Sequence, residues 1–472
     1  MLATAVAETL LKRTRSRCPV CHASAPAEVW RRSEGKAQTV WLRRRCPEHG
    51  VAENCISSDA RFYWLAQGDP RNSCCGSTGD GGFDGTLGRN AAVAAIQNSK
   101  FKIQNPPEHL STCLALIEIV TSCNLACPTC YADSPQSTAV TAVPLADLQR
   151  RIQGIIDRKG RIEILQLSGG EPTLHPQFFE LLDWAQANSG IDYLLINTNG
   201  VRIASDAAFA EQLGKSFHLG KLQLYLQFDG PQEAGQRALR GADLRPTRER
   251  AIERCAAMNL PITLAMTVTA ENLPHLGDAI DFGLKWPHIR GISFQPMFTS
   301  GRTPESGSRK AETGKLPPET LSALRSPPSA LLNTADIILA CVAQSAALRF
   351  EDFTPLPCGD PNCATIGYLL RTPDGVRSIS DFVDFAKVQS FLRDKVRYSL
   401  DDLARCGCES EPLGRLLHDF ELNAEGCFRL FIKPFMDAWS WDEDRIDRCC
   451  THVIRPDGAL DSFCRYYGAK PG

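Results

Sequence analysis

The sequence predicts an α/β fold with a parallel sheet, flanked on both sides by cysteine-rich segments. Between residues 114 and 297, strand-like apolar runs alternate with helical patterns six times. Such alternation favours a parallel sheet with right-handed crossovers. The chain also contains 20 cysteines, most of them in close sets. Clustered thiols in a large chain without an export signal favour metal ligation over disulfides.

Length and composition restrict the class of protein. With 472 residues, 43% hydrophobic and 22% charged, the chain has room for two or three globular domains. A net charge of −2 gives no reason to expect a nucleic-acid partner. No apolar run approaches the roughly 18–20 residues that cross a bilayer, which leaves only peripheral membrane contact open. Residues 1–17 carry their basic residues after a short apolar part, the reverse of a signal peptide, so we expect a cytoplasmic protein.

Residues 1–66 predict a metal-binding ribbon. Cys18 and Cys21 form one two-thiol turn, and Cys46 and His49 lie in a second turn joined to it by strand-like pieces. Two such turns can make a tetrahedral site, with Cys55 competing for the fourth ligand position. Zinc would make the site structural, and iron would make it rubredoxin-like. Unrelated surface cysteines are the alternative.

Residues 67–112 are predicted to be a linker or insertion. The stretch 76–88 is rich in Gly, Asp and Ser, and a short Ile-Gln-Asn repeat at 96–98 and 103–105 precedes Pro106-Pro107. Cys74 and Cys75 are adjacent in sequence and therefore poor disulfide partners, so either both are free or one serves a metal elsewhere.

A loop with three cysteines follows the first strand of the alternating region. Cys123, Cys127 and Cys130 come directly after the apolar, β-branched run 114–120. The loop therefore lies at the C-terminal end of a strand, where α/β folds place their chemistry. Three thiolates on a four-iron cluster leave one iron without a protein ligand, free to bind a substrate or cofactor. A zinc knuckle short of one ligand is the alternative.

The motif Gly169-Gly170-Glu171-Pro172 follows the second predicted strand, 162–167. A Gly-Gly pair allows the backbone to approach a ligand closely. Together, the CxxxCxxC and GGEP loops resemble those of the radical S-adenosylmethionine (SAM) superfamily. The resemblance implies a partial (β/α)6 barrel at residues 113–300, with an open side. It also implies a [4Fe-4S] cluster on the three cysteines, SAM chelated at the open iron with its amino group held by the GGEP loop, and reductive formation of a 5′-deoxyadenosyl radical.

One position departs from that family, and several polar residues follow the later strands. Thr129 stands where the family often has an aromatic residue before the third cysteine, and Tyr131 is the nearby substitute. Asn199 and Asp229 are candidates to bind the SAM ribose or the substrate, although Asn-Gly and Asp-Gly are also ordinary turn dipeptides. Arg302 is a candidate for a carboxylate or phosphate, with a solvated loop arginine as the alternative.

The remainder divides into a connector with a helix, 301–355, and a second cysteine field, 356–472. This field has enough cysteines for one or two auxiliary [4Fe-4S] clusters. Our preferred ligands are Cys358, Cys363, Cys450 and Cys464, then Cys449, and then Cys406, Cys408 and Cys427.

The order of motifs, including Lys433-Pro434-Phe435 and Cys449-Cys450-Thr451-His452, is similar to the tetraether synthase-like branch of the superfamily. That branch includes enzymes that join lipid chains and related proteins that methylate a pterin. The resemblance implies hydrogen abstraction from an unactivated carbon, for carbon–carbon bond formation on a lipid or methylation-type modification of a small molecule. It also implies a reductant such as ferredoxin or flavodoxin.

Two other functions remain open at this level. A SPASM-like peptide- or protein-modifying maturase would need a peptide-recognition domain before the barrel. A zinc-binding interaction scaffold would need all cysteines to hold zinc, which the paired CxxxCxxC and GGEP loops oppose.

Overall fold

The computed structural model describes residues 6–67, 112–217, 220–303, 331–356, 359–381, 397–399 and 426–468. Almost all of the predicted linker, with Cys74 and Cys75, lies outside these ranges, as do Cys358, Cys406 and Cys408. Within the described ranges, no helix is both long enough and apolar enough to cross a membrane.

The N-terminal ribbon is a four-stranded antiparallel sheet in chain order. Its strands are β1 (Ala7–Arg17), β2 (Ser24–Glu34), β3 (Ala37–Cys46) and β4 (Gly50–Ser57). A short strand, β5 (Leu65–Gln67), follows the ribbon. The two turns with the metal-ligand motifs join β1 to β2 and β3 to β4, so they lie at the same end of the sheet.

Six parallel strands form the centre of the molecule, each hydrogen-bonded to the next in chain order. They are β6 (Leu114–Val120), β7 (Ile162–Gly169), β8 (Ile191–Thr198), β9 (Leu222–Gln227), β10 (Ile262–Val268) and β11 (Ile289–Pro296). The predicted α/β class and the six β/α units are thereby confirmed. All six strands end on the same side, where the CxxxCxxC and GGEP loops follow β6 and β7.

Helices cover this sheet and connect its strands. In the described residues they are α1 (Leu145–Lys159), α2 (Phe178–Ala187), α3 (Val201–Ser205), α4 (Ala207–Ser216), α5 (Gln236–Arg240), α6 (Arg245–Ala257), α7 (Leu276–Leu284), α8 (Thr334–Gln344), α9 (Glu443–Ile446) and α10 (Phe463–Gly468). Helix α7 begins only at Leu276, because Pro274 lies in a separate 3-10 turn, Leu273–His275.

Helix α1 shows why these segments are helical. Leu148, Ile152, Ile155 and Ile156 recur at helical spacing, and all are buried against the sheet. Gly160 ends the helix with a φ of +83°, a conformation that costs glycine little, and its N–H donates to the carbonyl of Ile156.

The C-terminal strands extend the same sheet at both edges. One group comprises β12 (Thr354–Pro355), β13 (Thr365–Thr372), β14 (Gly375–Ser378) and β16 (Cys427–Ile432), and β16 pairs in parallel with β11. Another comprises β17 (Thr451–Ile454) and β18 (Leu460–Ser462), and β17 pairs in parallel with β6. The three residues of β15 (Arg397–Ser399) pair with β5 instead. The C-terminal region thus shares the barrel sheet instead of forming a sheet of its own.

This arrangement corrects the expectation of an open barrel side. Residues 433–450 run from one sheet edge to the other, since β16 ends at Ile432 and β17 begins at Thr451. The Lys433 ammonium donates to the Thr451 hydroxyl at 3.2 Å, across the gap between the edges. The resemblance to a partial barrel implies an open side. In this chain, the C-terminal segment 433–450 covers that side.

The ribbon packs onto this closing segment. Arg44, which is 1% exposed, donates to the carbonyl oxygens of Ala438 and Trp439 at 2.8 and 2.6 Å. The Lys12 ammonium lies 2.6 Å from Asp442 and 3.0 Å from Asp444. Contacts of this kind fix the ribbon against the C-terminal part of the barrel.

Candidate active site and metal centres

The cysteine loop is held by backbone hydrogen bonds and by one arginine. Cys130 and Arg302 exchange two backbone hydrogen bonds of 2.8 and 2.9 Å. The Arg302 side chain donates to the carbonyls of Cys127 and Ser134, each at 2.9 Å. Neither sequence-based expectation for Arg302, an anion site or a solvated side chain, included this role: its guanidinium fixes the loop that carries the cysteines, and it also lies 3.7 Å from the Asp133 carboxylate.

The GGEP motif contacts the start of that loop directly. The N–H of Gly170 donates to the carbonyl of Val120 at 2.9 Å, and the N–H of Glu171 donates to that of Ser122 at 3.1 Å. A Cβ atom at Gly170 would lie 2.0 Å from the Ser122 oxygen, and Gly169 has a φ of +117°. The glycine pair is therefore required by the close approach of two backbones. Pro172 is buried at the start of a 3-10 turn, Pro172–Leu174, and shapes the loop.

Glu171 connects three loops from inside the protein. The side chain is 1% exposed, and its carboxylate accepts from the Thr173 hydroxyl at 2.7 Å, the Thr198 hydroxyl at 2.7 Å and the Asn199 N–H at 2.8 Å. Burial raises the pKa of this carboxyl, and these donors oppose the shift. The Asn199 amide in turn donates to Asn124 at 2.7 Å and approaches the Cys123 sulfur at 3.8 Å. Glu171 thus positions Asn199 against the cysteine loop.

Asp229 does not reach the cleft, which corrects its expected contact with SAM or substrate. Its side chain is fully buried, and it accepts from Arg240 Nε at 2.6 Å and Nη2 at 2.8 Å and from the Thr267 N–H at 3.1 Å. Arg240 lines the cleft in its place. The Arg240 charge lowers the pKa of Asp229 although burial opposes this, so the carboxylate fixes the guanidinium.

A cleft of about 1100 Å³ opens at the C-terminal ends of the strands. Its wall includes the three cysteines of the loop, Gly169, Gly170, Glu171 and Asn199, together with Thr129 and Tyr131. Neutral polar side chains from successive strands complete it, namely Ser168, Asn197, Tyr225, Gln227, Thr267 and Gln295. The loops that the sequence analysis identified separately therefore meet around one cavity.

A second constellation lies in the ribbon. The sulfur–nitrogen distances from Cys18 and Cys46 to His49 Nδ1 are 3.7 and 3.6 Å, and the sulfurs of Cys21 and Cys46 are 3.9 Å apart. Tetrahedral bonds of about 2.0–2.3 Å place ligand atoms at about this separation. All four ligand atoms lie within 4.8 Å of one another, and no other such group occurs in the described residues.

Cys55 is excluded from this set because its thiol donates to the Ser57 carbonyl at 3.3 Å. Burial alone would raise the pKa of Cys46, but hydrogen bonds from the His49 and Glu48 backbones and from the His49 ring lower it to about 7. A thiol of this kind loses its proton readily to a metal.

A third set of thiols lies in the C-terminal cysteine field, residues 356–472. Cys363, Cys449, Cys450 and Cys464 are each less than a tenth exposed, and they act electrostatically on one another and on Lys433. Four convergent thiols suffice for one fully ligated four-iron cluster. Cys427 instead begins β16. The remaining candidates of this field, Cys358, Cys406 and Cys408, lie outside the described residues, so a second auxiliary cluster remains an expectation.

Comparison with known proteins identifies the core. A family model described as the radical SAM superfamily matches residues 117–283, which span β6 to α7 and include both loops. Residues 117–283 are thus a radical SAM domain. A model described as the HMPTM N-terminal zinc ribbon domain matches residues 10–58, which contain the four ligands of the ribbon. A radical SAM enzyme works with a [4Fe-4S] cluster and SAM, so both are cofactors of this chain, and its ribbon holds a metal ion.

Individual relatives match different shares of this radical SAM protein. The 7,8-dihydro-6-hydroxymethylpterin dimethyltransferase of Methanocaldococcus jannaschii is 24% identical over 96% of this chain and 93% of its own. The mycofactocin maturase MftC of Mycobacterium ulcerans is 32% identical, over 34% of this chain and 41% of its own. The solved structure of Streptococcus suis SuiB bound to S-adenosylmethionine is 19% identical over 45% of this chain and 46% of that one, with a TM-score of 0.34.

The three cysteines of the radical SAM loop all line the cleft, as a shared cluster requires. A four-iron core binds each thiolate at a different iron and leaves the fourth iron open to the cleft. Burial raises the pKa of Cys123 to about 11, so iron binding at this residue releases a proton.

Sequence reasoning missed several residues of this site. Arg240 lies on the short helix α5, ten residues after the Asp229-Gly230 turn, and no motif marks it. Tyr225 and Gln227 alternate along β9 and both face the cleft. This alternation could have identified Tyr225 and Gln227 together, because residues two apart on a strand face the same side.

Proposed function

We propose that this radical SAM enzyme modifies a pterin-like small molecule, and that the modification is a methylation. The observation that carries the proposal is the full-length match to the hydroxymethylpterin dimethyltransferase, which extends over 96% of this chain. The peptide-maturase match covers only 34% of it. The match therefore extends beyond the common radical SAM core into the ribbon and the C-terminal region, which supports a pterin-modifying enzyme.

The chain's own residues prepare the site for SAM. When bound, the cluster and SAM together supply a 5′-deoxyadenosyl radical able to remove hydrogen from an unactivated carbon. Cys123, Cys127 and Cys130 would hold the iron. Because the N–H groups of Gly170 and Glu171 are already hydrogen-bonded, the GGEP loop would offer carbonyl oxygens to the SAM ammonium. Arg240, which lines the cleft and is fixed by Asp229, is suited to the SAM carboxylate.

The remaining cleft wall suits a neutral heteroaromatic substrate. Tyr225, Gln227, Thr267 and Gln295 offer hydroxyl and amide groups, and Gln295 donates to the Tyr225 hydroxyl at 2.7 Å. The edge of a pterin ring presents alternating donors and acceptors that such groups can match. Apolar residues such as Met297 and Phe298 also line the cleft, but no relative named above joins lipids. Lipid coupling is therefore an arm of the test and not the proposal.

Aromatic side chains at the back of the cleft exclude water. Tyr131 contacts Tyr467 edge-on with ring centroids 4.9 Å apart, and it contacts Phe463 at 5.6 Å. Phe298 lines the cleft and stacks on Tyr131 at 6.5 Å. Such a wall would protect a reactive carbon radical from solvent.

The test is an anaerobic turnover assay. Protein reconstituted with iron and sulfide is incubated with SAM, a low-potential reductant such as reduced ferredoxin or flavodoxin, and 7,8-dihydro-6-hydroxymethylpterin. We expect 5′-deoxyadenosine and a pterin product heavier by one or two methylene units in mass spectrometry. Isotope label in the SAM methyl group then shows whether SAM supplies the added carbon.

Controls separate the parts of the proposal. Cys127→Ala should abolish 5′-deoxyadenosine, whereas replacing the buried Cys255 of α6 with Ala should not. Formation of 5′-deoxyadenosine without a heavier pterin would refute the proposed substrate class. Coupled products in a parallel incubation with lipids would then identify lipids as the substrate class. Absence of deoxyadenosine from iron-loaded parent protein would refute the proposed site itself.

A further inference from the structure

The C-terminal thiols have two cations beside them that the SAM chemistry does not use. Arg445 donates from Nε to the Cys363 sulfur at 3.2 Å and from Nη2 to the carbonyl of Pro434. The ammonium of Lys433 donates to the Thr451 hydroxyl and lies within electrostatic reach of all four thiols. Arg445 thus contacts one of the proposed metal-ligating sulfurs, and Lys433 lies close to the whole set.

Neither cation has a carboxylate partner. In the described ranges, no Asp or Glu oxygen lies within 4.0 Å of the charged nitrogens of Lys433 or Arg445, whereas Lys12 lies that close to both Asp442 and Asp444. Asp360 acts on Arg445 electrostatically, but its buried carboxylate accepts its hydrogen bond from the Asn362 N–H at 2.9 Å and is not in contact with Arg445. Two partly buried cations without carboxylates indicate that another anion neutralises them.

A cluster on the four thiolates is an anion of the right charge. Four thiolates around an oxidised four-iron core form a dianion, which two cations balance. One-electron reduction adds a further negative charge, which nearby cations and a hydrogen bond to a ligand sulfur stabilise. Both effects raise the reduction potential of an iron–sulfur centre.

The same centre lies close to the radical SAM site. Phe463, next to Cys464, contacts Tyr131, next to Cys130, with ring centroids 5.6 Å apart. Phe435 stacks on Phe463 at 4.1 Å and completes a packed aromatic contact between the two cysteine sets.

We propose that Arg445 and Lys433 are positioning residues that hold the C-terminal cluster at a raised reduction potential, so that its oxidised form accepts one electron more readily than it would without these cations. A low-potential one-electron donor of the kind the SAM reaction already requires supplies that electron, and no proton moves. The proposal concerns the cluster and not the substrate, so it can fail while the pterin assignment stands.

The experiment is a potentiometric titration followed by electron paramagnetic resonance. Full-length protein with Cys123, Cys127 and Cys130 all replaced by Ala removes the signal of the radical SAM cluster. In this background, Arg445→Met and Lys433→Met should each shift the midpoint potential of the remaining cluster to a more negative value. Arg445→Lys should shift it less, and the double Met variant should shift it most.

Matched controls keep the test decisive. Lys285→Met removes an exposed cation at the end of the barrel where the strands begin and should leave the potential unchanged. If Arg445→Met fails to retain iron, the result for Lys433→Met decides. Lys433 donates its hydrogen bond to the Thr451 hydroxyl and not to a cysteine sulfur, so its replacement disturbs the ligands less. Unchanged potentials in iron-loaded Met variants would overturn the proposal. A colourless, zinc-loaded protein in the triple-Ala background would overturn it as well.

Discussion

Replacing Glu171 tests whether the buried carboxylate organises the SAM site. In Glu171→Ala, the N–H groups of Asn199 and Thr173, 2.8 and 3.3 Å from the carboxylate, lose their acceptor inside the protein. A buried N–H without an acceptor costs about 1–3 kcal/mol, and the hydroxyls of Thr173 and Thr198 can rotate to other partners. We therefore expect a loss of about 2–5 kcal/mol in the free energy of unfolding, and roughly half of that for Glu171→Gln.

The assay is denaturant unfolding under anaerobic conditions, with the midpoint compared at constant slope. The control is Glu180→Ala, which removes a glutamate side chain from the solvent-exposed face of α2 and should change the midpoint little. Because Asn199 loses its support, Glu171→Ala should also weaken SAM binding, seen as a smaller change in the cluster's paramagnetic spectrum when SAM is added. Equal midpoints for Glu171→Ala and the parent protein would refute the structural reasoning. If Glu171→Ala lost stability but bound SAM as the parent protein does, only the proposed effect of Asn199 on SAM binding would be refuted.

Three further results follow from other parts of the structure. Gly170→Ala should lower iron retention and stability by about 1–3 kcal/mol, because its Cβ would meet the Ser122 oxygen at 2.0 Å; normal iron content and stability would contradict this. Cys18→Ser should lose one equivalent of bound metal by elemental analysis and loosen the ribbon, whereas Cys55→Ser should keep the metal. Burial lowers the pKa of His288 to about 4, so between pH 6.5 and 4 the unfolded chain binds a proton at this residue and the folded chain does not. The free energy of unfolding therefore falls as the pH drops from 6.5 to 4, and His288→Phe should reduce this fall by about 1–3 kcal/mol. Denaturant unfolding at several pH values measures the fall, and an equal fall in both proteins would contradict the prediction.

The sequence was informative wherever function imposes a local spacing. The cysteines of the CxxxCxxC loop and the four ligands of the ribbon can be identified from spacing, because each set is brought together by a single loop or by two turns at one sheet end. The six strands were also predictable, since buried parallel strands require continuous apolar runs. Arg302 and Asp229 were misjudged for the opposite reason. The partners of Arg302 are backbone carbonyls more than 160 residues away, and those of Asp229 lie on later elements, where local pattern gives no signal.

By itself, the sequence determined the chemistry that this protein can support: the thiol sets, the glycine pair and the β/α alternation are properties of residue type and short-range spacing. Only the tertiary structure decided which groups meet. Pairing of β16 with β11 and of β17 with β6 closes the barrel with the C-terminal segment, and this brings Cys363, Lys433 and Cys464 together from widely separated positions. Such convergence depends on the register of the whole sheet, which is set by long-range hydrogen bonds and packing and is not encoded in any one stretch of the chain.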